Sequence, residues 1–210
     1  MNKRYSWIIA IAAVFLIGGF LMMRNEQQPT EGAKPIVKIG VTLPLTGGVA
    51  MLGESNKNAL LLAKQQLKNT KYDYEFVFED DAFSPKQAAS TANKLINIDQ
   101  VDALISFGSP AGNAVSPIAE KARITHINDF ASDAHVADGE YNFVHCTPAY
   151  KDSERFIAEL KKRNVHSLVF FAQQDNPGAI AIINSFENDV KKTDIQVLST
   201  QKFNTGTNDF

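Results

Sequence analysis

Apolar and polar residues follow two alternating periods from residue 36 onward. Short runs rich in β-branched residues predict strands, and longer stretches with apolar residues three or four positions apart predict helices. The first strand, Ile36–Leu43, is apolar almost throughout, so we expect it to be buried on both faces. Because strands alternate with helices to the end of the chain, the pattern predicts a doubly wound, parallel α/β fold.

The predicted elements can be placed on the chain from this pattern. The predicted strands are Ile36–Leu43, 74–80, 101–107, 124–128, 141–146, 167–172 and 195–203. The predicted helices are 56–68, 84–98, 112–123, 152–163 and 179–191. The second helix has a recognisable start, with Ser84 at the N-cap, Pro85 at the first helical position and Gln87 where a capping box requires it.

The first part of the chain has a different pattern. Lys3 and Arg4 precede an uncharged apolar run, residues 7–23, which is the arrangement of an export signal. No small-residue cleavage site follows, so an N-terminal hydrophobic helix that stays as a membrane anchor is favoured over a cleaved signal peptide. A lipid anchor is excluded because no cysteine follows the run. We therefore expect residues 1–24 to be the signal or anchor, residues 25–35 a polar linker, and the remainder to be periplasmic or extracellular.

Composition excludes several function classes. The net charge of −2 gives no case for a nucleic-acid partner, whose footprint would be a basic surface. Cys146 is the only cysteine, so neither a disulfide framework nor a thiolate metal cluster is available. The four histidines lack close motif spacing and are interpreted as strand or loop residues; they are His126, His135, His145 and His166. We expect neither a metal nor another cofactor.

Ligands of parallel sheets bind outside the carboxyl ends of the strands. The loops at those ends are residues 44–55, 80–84, 108–112 and 129–138. They contain small residues that allow backbone N–H groups to approach a ligand: Gly47, Gly48, Gly53, Ser109, Gly112 and Ser132. They contain no nucleophile–base pair and no Walker-type phosphate loop, so we do not expect an enzyme.

Three features of these loops have competing interpretations. The acidic residues 79–81 could hold Mg²⁺ or accept a phosphoryl group, but hydrogen bonding within the turn before the second helix is favoured. Ser109 could cap its helix or, with the backbone at Ala111 and Gly112, hold a carboxylate at the helix N-terminus. Ser132 could bond a ligand ammonium or its own turn, and Leu52 could pack on a ligand or in the core.

Several segments have the pattern of a known family. "FEDDAFSPKQAASTANKLI" is similar to the "DD…P-x-x-A-x-x-x-A-x-K-L" pattern and is the most specific match. "IVKIGVTLPLTGGVAMLGES", "VDALISFGSPAGNAVSPIAEKARI" and "KFNTGTNDF" match further segments. Over about residues 36–210 the chain resembles the type I periplasmic binding proteins of the branched-chain amino acid (Leu/Ile/Val-binding) family of ABC transporters.

The resemblance implies a solute receptor in which two α/β lobes close on an amino acid or a similar small molecule and deliver it to an ABC transporter permease. Carried over by position, the ligand shell of the first lobe would be Leu52, Ser109, Ala111, Gly112, Ala131 and Ser132. A serine hydroxyl and backbone amides would hold the carboxylate, while the Ala131 carbonyl and the Ser132 hydroxyl would face the ammonium. The chain departs from the family at Leu52, where an aromatic residue is frequent, and at Pro177, where a tyrosine is common.

The resemblance also implies a domain organisation. Residues 36–148 would form the first lobe, and residues 149–210 would form the start of an incomplete second lobe. The chain ends in "TGTNDF", just before a helix expected near Asp209, so we expect a truncated lobe and a cleft with one complete wall. Two functions remain open: a binding protein of an importer, and a membrane-tethered sensory or regulatory module on the same fold.

Overall fold

The computed structural model describes residues 34–208, in which strands and helices alternate. The strands are β1 (Ile36–Leu43), β2 (Asp73–Asp80), β3 (Ala103–Phe107), β4 (Thr125–Asp129), β5 (Asn142–His145), β6 (Ser167–Gln173) and β7 (Gln196–Phe203). The α-helices are α1 (Ala50–Gln66), α2 (Pro85–Asn97), α3 (Gly108–Ala122), α4 (Ala149–Lys162) and α5 (Pro177–Val190). A short 3₁₀-helix, Ala134–Ala137, precedes β5. The predicted anchor and the helix expected near Asp209 lie outside the described residues.

Two parallel sheets organise these elements. The first sheet has the strand order β2-β1-β3-β4-β5, and the second sheet pairs β6 with β7. This confirms the predicted α/β fold with parallel sheet, and β6 and β7 form a second, smaller parallel sheet. The lobe boundary predicted at residue 148 stays a prediction; β5 ends just before it and α4 begins just after it.

The register of the first sheet brings the carboxyl ends of its strands to one edge. Leu43 at the end of β1 pairs with Asp80 at the end of β2, and Phe107 at the end of β3 pairs with Asp129 at the end of β4. The loops that follow these strands therefore meet at the same edge, as expected for a parallel sheet.

The expectation that β1 is buried on both faces is wrong for its first half. Gly40 to Leu43 are buried, but Ile36 is 62% exposed. Pairing with β3 begins only at Ile39, so the first residues of β1 have β2 as their only paired neighbour and extend beyond the covered part of the sheet.

Small side chains build the core on the side of α2 and α3. Alanines and leucines of these helices and of β3 interlock there, and the fully buried members are Ala88, Ala92, Leu95, Leu104, Ala111, Val115 and Ala119. A second cluster, formed by Val41, Leu43 and Phe107, packs with residues of α1 and β2. Close helix–sheet packing of this kind fixes where the helices begin, and hence where their N-termini point.

Two helices begin earlier than their sequences predict. Helix α1 starts at Ala50 rather than residue 56, and α3 starts at Gly108 rather than residue 112. Glycine and proline disfavour a helix by propensity alone, but tertiary contact overrides that preference here. In α1, a Cβ on Gly53 would lie only 2.6 Å from the carbonyl carbon of Pro44, so glycine lets the helix approach the end of β1.

The predicted start of α2 is confirmed, with one difference. The Ser84 side chain accepts a 3.5 Å hydrogen bond from the Gln87 N–H, and Pro85 occupies the first helical position. In a full capping box the Gln87 side chain would accept a hydrogen bond from the Ser84 N–H. Here the Ser84 N–H donates to the Asp81 carbonyl at 2.8 Å instead. Among the helices of residues 34–208, none has both the length and the apolar character needed to cross a membrane.

Candidate functional site

The carboxyl edge of the first sheet and the start of α5 enclose a cleft of about 230 Å³. The loops after β2 and β4 and the first turn of α3 contribute one wall together with α1, and the first turns of α5 contribute the other. The lining residues are uncharged: Leu52, Phe83, Phe107, Gly108, Ser109, Pro110, Phe130, Ser132, Asn176, Gly178, Ala179 and Ile182.

The turn after β2 is held by two aspartates. Asp80 accepts hydrogen bonds from the N–H groups of Leu45, Thr46 and Ala82 and from the Thr46 hydroxyl. Burial raises the pKa of Asp80, but these four hydrogen bonds together outweigh it and lower the pKa below its usual range. The carboxylate thereby ties the loop after β1 to the loop after β2.

Asp81 has the opposite balance. Its side chain is fully buried and accepts bonds from the Thr42 hydroxyl at 3.0 Å and from the Phe83 N–H at 2.8 Å. Burial raises the pKa of Asp81 and dominates over these bonds. Both aspartates therefore organise the turn through hydrogen bonds, which is the interpretation favoured from the sequence. Residues 34–208 contain no cluster of three or more His, Cys, Asp or Glu side chains that could hold a metal ion.

A buried polar chain runs across β3, β4 and β5 beneath the start of α3. Asn128 donates to the Ser106 hydroxyl at 2.6 Å, and Ser106 bonds Nε2 of His126 at 2.7 Å. His126 Nδ1 lies 2.9 Å from Oδ1 of Asn142. The amide oxygen of Asn142 can only accept, so Nδ1 of a neutral His126 carries the proton and Nε2 accepts from the Ser106 hydroxyl.

This chain positions the cleft. Asn128 also donates to the Gly108 carbonyl at 3.0 Å, which fixes the first residue of α3. Burial lowers the pKa of His126, partly offset by the bond to Asn142, so the fold favours the neutral ring over the charged one. The interpretation of His126 as a strand residue rather than a ligand is consistent with this geometry.

Ser109 lies at the bottom of the cleft and is only 3% exposed. Its hydroxyl oxygen accepts from the backbone N–H groups of Ser132 at 3.1 Å and Asp133 at 3.2 Å, and its side chain does not cap α3. The serine therefore joins the first turn of α3 to the loop after β4. A Cβ on Gly178 would lie 2.7 Å from the Ser109 oxygen, so α5 packs directly against it.

The start of α5 has its own cap. Asn176 accepts from the N–H groups of Gly178 at 2.9 Å and Ala179 at 3.4 Å, and Pro177 stands at the first helical position. Because these N–H groups are already bonded, α5 contributes the positive end of its dipole to the cleft rather than free donors. The pattern Asn-Pro is a recognisable helix start that the sequence prediction of 179 as the first residue missed.

Three phenyl rings form the apolar part of the cleft. Phe107 and Phe130 are stacked, with ring centroids 5.6 Å apart and an interplanar angle of 1°. Phe83 lies 6.4 Å from Phe107 at an angle of 50° and covers Gly108, where a Cβ would be 3.0 Å from its ring. Gly108 has φ +75°, a conformation that favours glycine.

The structure brings three of the six predicted ligand residues to the cleft. Leu52, Ser109 and Ser132 line it. Ala111 and Gly112 are buried behind it: Ala111 belongs to the core, and Gly112 packs against Asn128 and Val136. Since α3 begins at Gly108, the N–H groups of both residues bond carbonyls one turn earlier in the helix. Ala131 is 1% exposed and also lies beneath the surface.

Sequence reasoning missed the phenylalanines and the start of α5. Phe83 lies three residues after the end of β2, and Phe130 directly follows the last residue of β4. Loops at the carboxyl ends of parallel strands are where ligands bind. An aromatic residue in such a loop was the available signal. Asn176 and Ile182 belong to the second wall, which sequence alone did not assign to the cleft.

A second cavity, of about 400 Å³, lies on the other side of the loop after β4. Asp133 and the 3₁₀-helix bound it on one side. The start of α4, with Tyr150, and a second face of α5, with Asn184, bound it on the others. The segments after β4 and β5 reach this cavity, whereas the segments after β2, β3 and β4 meet at the smaller cleft. We therefore take the smaller cleft as the candidate site.

Comparison with known proteins agrees with this architecture. A leucine-, isoleucine-, valine-, threonine- and alanine-binding protein of Pseudomonas aeruginosa is 27% identical over 188 residues, which cover 85% of this chain and 49% of that protein. A leucine-binding protein of Thermotoga maritima superposes with a TM-score of 0.76 at 24% identity, covering 83% of this chain and 51% of its own.

A further solved structure is a solute-binding protein of an ABC transporter from Rhodopseudomonas palustris, in complex with 3,4-dihydroxybenzoic acid. It superposes with a TM-score of 0.73 at 21% identity, covering 80% of this chain and 47% of its own. The chain thus spans about half the length of each of these proteins. Residues 36–210 match the family described as periplasmic binding protein. The chain therefore belongs to the periplasmic binding protein family and resembles its Leu/Ile/Val-binding members, which confirms the family predicted from the sequence.

Proposed function

We propose that the chain is the solute-binding component of an ABC importer, and that it binds an amino acid of the branched-chain type or a related small polar solute between two lobes. The observation that carries this proposal is the convergence of the strand ends of the first sheet and the N-terminus of α5 on one uncharged cleft. Membership of the family implies an extracytoplasmic location and a transporter permease as the partner.

The electrostatics of the cleft suit an anionic head group. Helices α3 and α5, of 15 and 14 residues, both begin at the cleft, so the positive ends of two helix dipoles face the same space. None of the lining residues within 34–208 has a charged side chain, so no acidic group there would repel a carboxylate. The Ser109 and Ser132 hydroxyls lie in the wall beside these helix ends and would orient it.

The six residues predicted as ligand shell divide into two roles in this proposal. Leu52, Ser109 and Ser132 would contact the solute directly. Ala111, Gly112 and Ala131 would shape the wall from behind, because their side chains or Cα atoms are buried. Ser132 is the more accessible of the two hydroxyls, since Ser109 is covered by the start of α5.

The alternative of a sensory or regulatory module is not favoured, because the relatives named above are amino-acid- or solute-binding proteins. The same relatives give no support for an enzyme. The membrane anchor at residues 7–23 stays a prediction from the sequence, and with it the attachment of the protein to the membrane.

The proposal is tested by a thermal-shift screen of amino acids, amides and small organic acids. A solute that binds only the folded state at about 100 times its Kd adds about 2.7 kcal/mol, which raises the Tm of a domain of this size by roughly 5–10 °C. Ser132→Ala should reduce the shift, and Ser90→Ala, an exposed serine of α2, should leave it unchanged. A screen without any response, or a shift insensitive to Ser132→Ala, would contradict the proposal.

A further inference from the structure

We propose that Phe83 and Phe130 form a subsite for an aromatic ring, so that the cleft selects carboxylates bearing an aryl group over aliphatic carboxylates of similar size. The inference rests on the proposed function of a solute receptor, and it replaces an aliphatic solute of the branched-chain type by an aryl carboxylate as the preferred solute. Phe130 is 63% exposed and projects at the cleft, while its other face is stacked on Phe107, which is only 4% exposed. The buried ring thus supports an exposed one.

The backbone at both phenylalanines is unusual. Phe83 has φ +59° and Phe130 has φ +70°, in the left-handed region that bulky L-residues rarely adopt. The other left-handed non-glycine residues of the described chain, apart from Ala82 beside Phe83, follow helix ends, where this conformation is routine; they are Asn69, Gln100, Arg123 and Asn164.

Folding alone does not explain why a phenylalanine occupies such a position. Phe130 buries little of its side chain, so replacing it with a residue better suited to a left-handed backbone would lose little apolar burial. Residues held in a strained backbone conformation are found mainly at binding and active sites, where the strain serves function rather than folding. Here the two strained positions direct their rings into the same cleft, on either side of Phe107.

The rest of the cleft completes an environment for an aryl carboxylate. Leu52 and Ile182 add aliphatic walls, and the helix N-termini provide a positive end for the carboxylate. An aromatic solute could stack on the open face of Phe130 or meet its edge, and such pairs exceed the effect of buried area alone by about 2- to 10-fold in affinity. An aliphatic solute would gain the buried area only.

Isothermal titration of four solutes tests the subsite. L-Phenylalanine and hydrocinnamate carry the ring with and without an ammonium group, and L-leucine and isocaproate are their aliphatic counterparts. We expect each aromatic solute to bind about 2- to 10-fold more tightly than its aliphatic counterpart. Tighter binding of L-phenylalanine than of hydrocinnamate would identify the solute as an aromatic amino acid. Tighter binding of hydrocinnamate would identify it as an aryl acid without an ammonium group.

Phe130→Gly separates the binding role from a structural one. Glycine accepts φ +70° without strain, but Phe130→Gly also removes the stacking on Phe107, so the Tm should change little while the preference for the ring is lost. Gln100→Gly is the matched control, because it relaxes a left-handed backbone, φ +53°, at a turn distant from the cleft. It should keep the preference.

The outcomes distinguish this inference from the proposed function. If the aliphatic solutes bind as tightly as the aromatic ones, or if the preference survives Phe130→Gly, the aryl subsite is overturned and the solute receptor stands. If a broad screen finds no solute that binds at all, the receptor is overturned and the subsite with it.

Discussion

Contact between α5 and Ser109 is the most testable feature of the cleft, and Gly178→Ala perturbs it directly. A Cβ at residue 178 would lie 2.7 Å from the Ser109 oxygen and 3.3 Å from the Ser109 Cβ. The first distance is shorter than the contacts that Cβ atoms make in folded proteins, so either Ser109 must rotate or the start of α5 must move away. Residue 178 has an ordinary helical backbone, and alanine would otherwise favour the helix over glycine.

The magnitude follows from the bonds that hold Ser109. Rotating its side chain gives up the hydrogen bonds from Ser132 and Asp133, at about 1 kcal/mol each. The helix propensity of alanine returns up to about 1 kcal/mol. That gain applies to α5 whether or not the walls touch, so it offsets the loss of stability but not the loss of binding. Keeping the walls in contact therefore costs about 2 kcal/mol, which corresponds to roughly 30-fold weaker binding of a solute that needs both walls.

The assay is isothermal titration with a solute found by the thermal-shift screen. Gly48→Ala serves as the control, because no atom lies within 4 Å of the Cβ it would add. We expect Gly178→Ala to weaken binding while the free energy of unfolding changes by less than about 2 kcal/mol. If Gly178→Ala binds as tightly as Gly48→Ala and the parent protein, the contact between α5 and Ser109 does not govern binding and the reasoning is refuted.

Three further predictions concern the scaffold of the cleft. Gly53→Ala should lower the free energy of unfolding by about 2 kcal/mol or more in urea titrations, because the new Cβ meets the rigid backbone of Pro44; an unchanged midpoint would contradict that packing. The change in unfolding free energy caused by Asp81→Asn should be more favourable at pH 7 than at pH 4. Burial raises the pKa of Asp81, so the carboxylate costs stability as the pH rises above its unfolded value of about 3.9, and the amide does not; equal effects at both pH values would contradict this. His126 has a lowered pKa, so the unfolded state binds its proton more readily, and stability should fall as the pH drops below about 6.5; the loss should persist in His135→Ala, whose exposed ring makes little contribution.

The alternating elements could be predicted from the sequence because each has a clear period. β1 was placed at its observed bounds, and the start of α2 was recognised from Ser84 and Pro85. The starts of α1 and α3 were placed too late, because Gly53 and Gly108 disfavour a helix locally and only the packing against Pro44 and Phe83 shows why glycine is there. Local propensity and tertiary contact disagree at these two positions, and tertiary contact prevails.

Half of the candidate shell could be predicted for a similar reason. A strand end and a small residue locate a loop, and Leu52, Ser109 and Ser132 are in loops or first turns that reach the cleft. Ala111 and Gly112 were expected to offer backbone N–H groups at the start of a helix predicted from residue 112, but the helix begins at Gly108, so these N–H groups are bonded within it. The left-handed backbone of Phe130 could not be predicted either, because that conformation is rare for phenylalanine.

The central claim is that one cleft at the carboxyl edge of the first sheet receives the solute. Hydrogen–deuterium exchange with and without a solute from the screen tests it most directly. The account predicts slower exchange in residues 82–84, 107–110, 130–133 and 176–182, which surround the cleft. Protection confined to the 400 Å³ cavity around Tyr150 and Asn184, or protection elsewhere in the chain without these four segments, would contradict it.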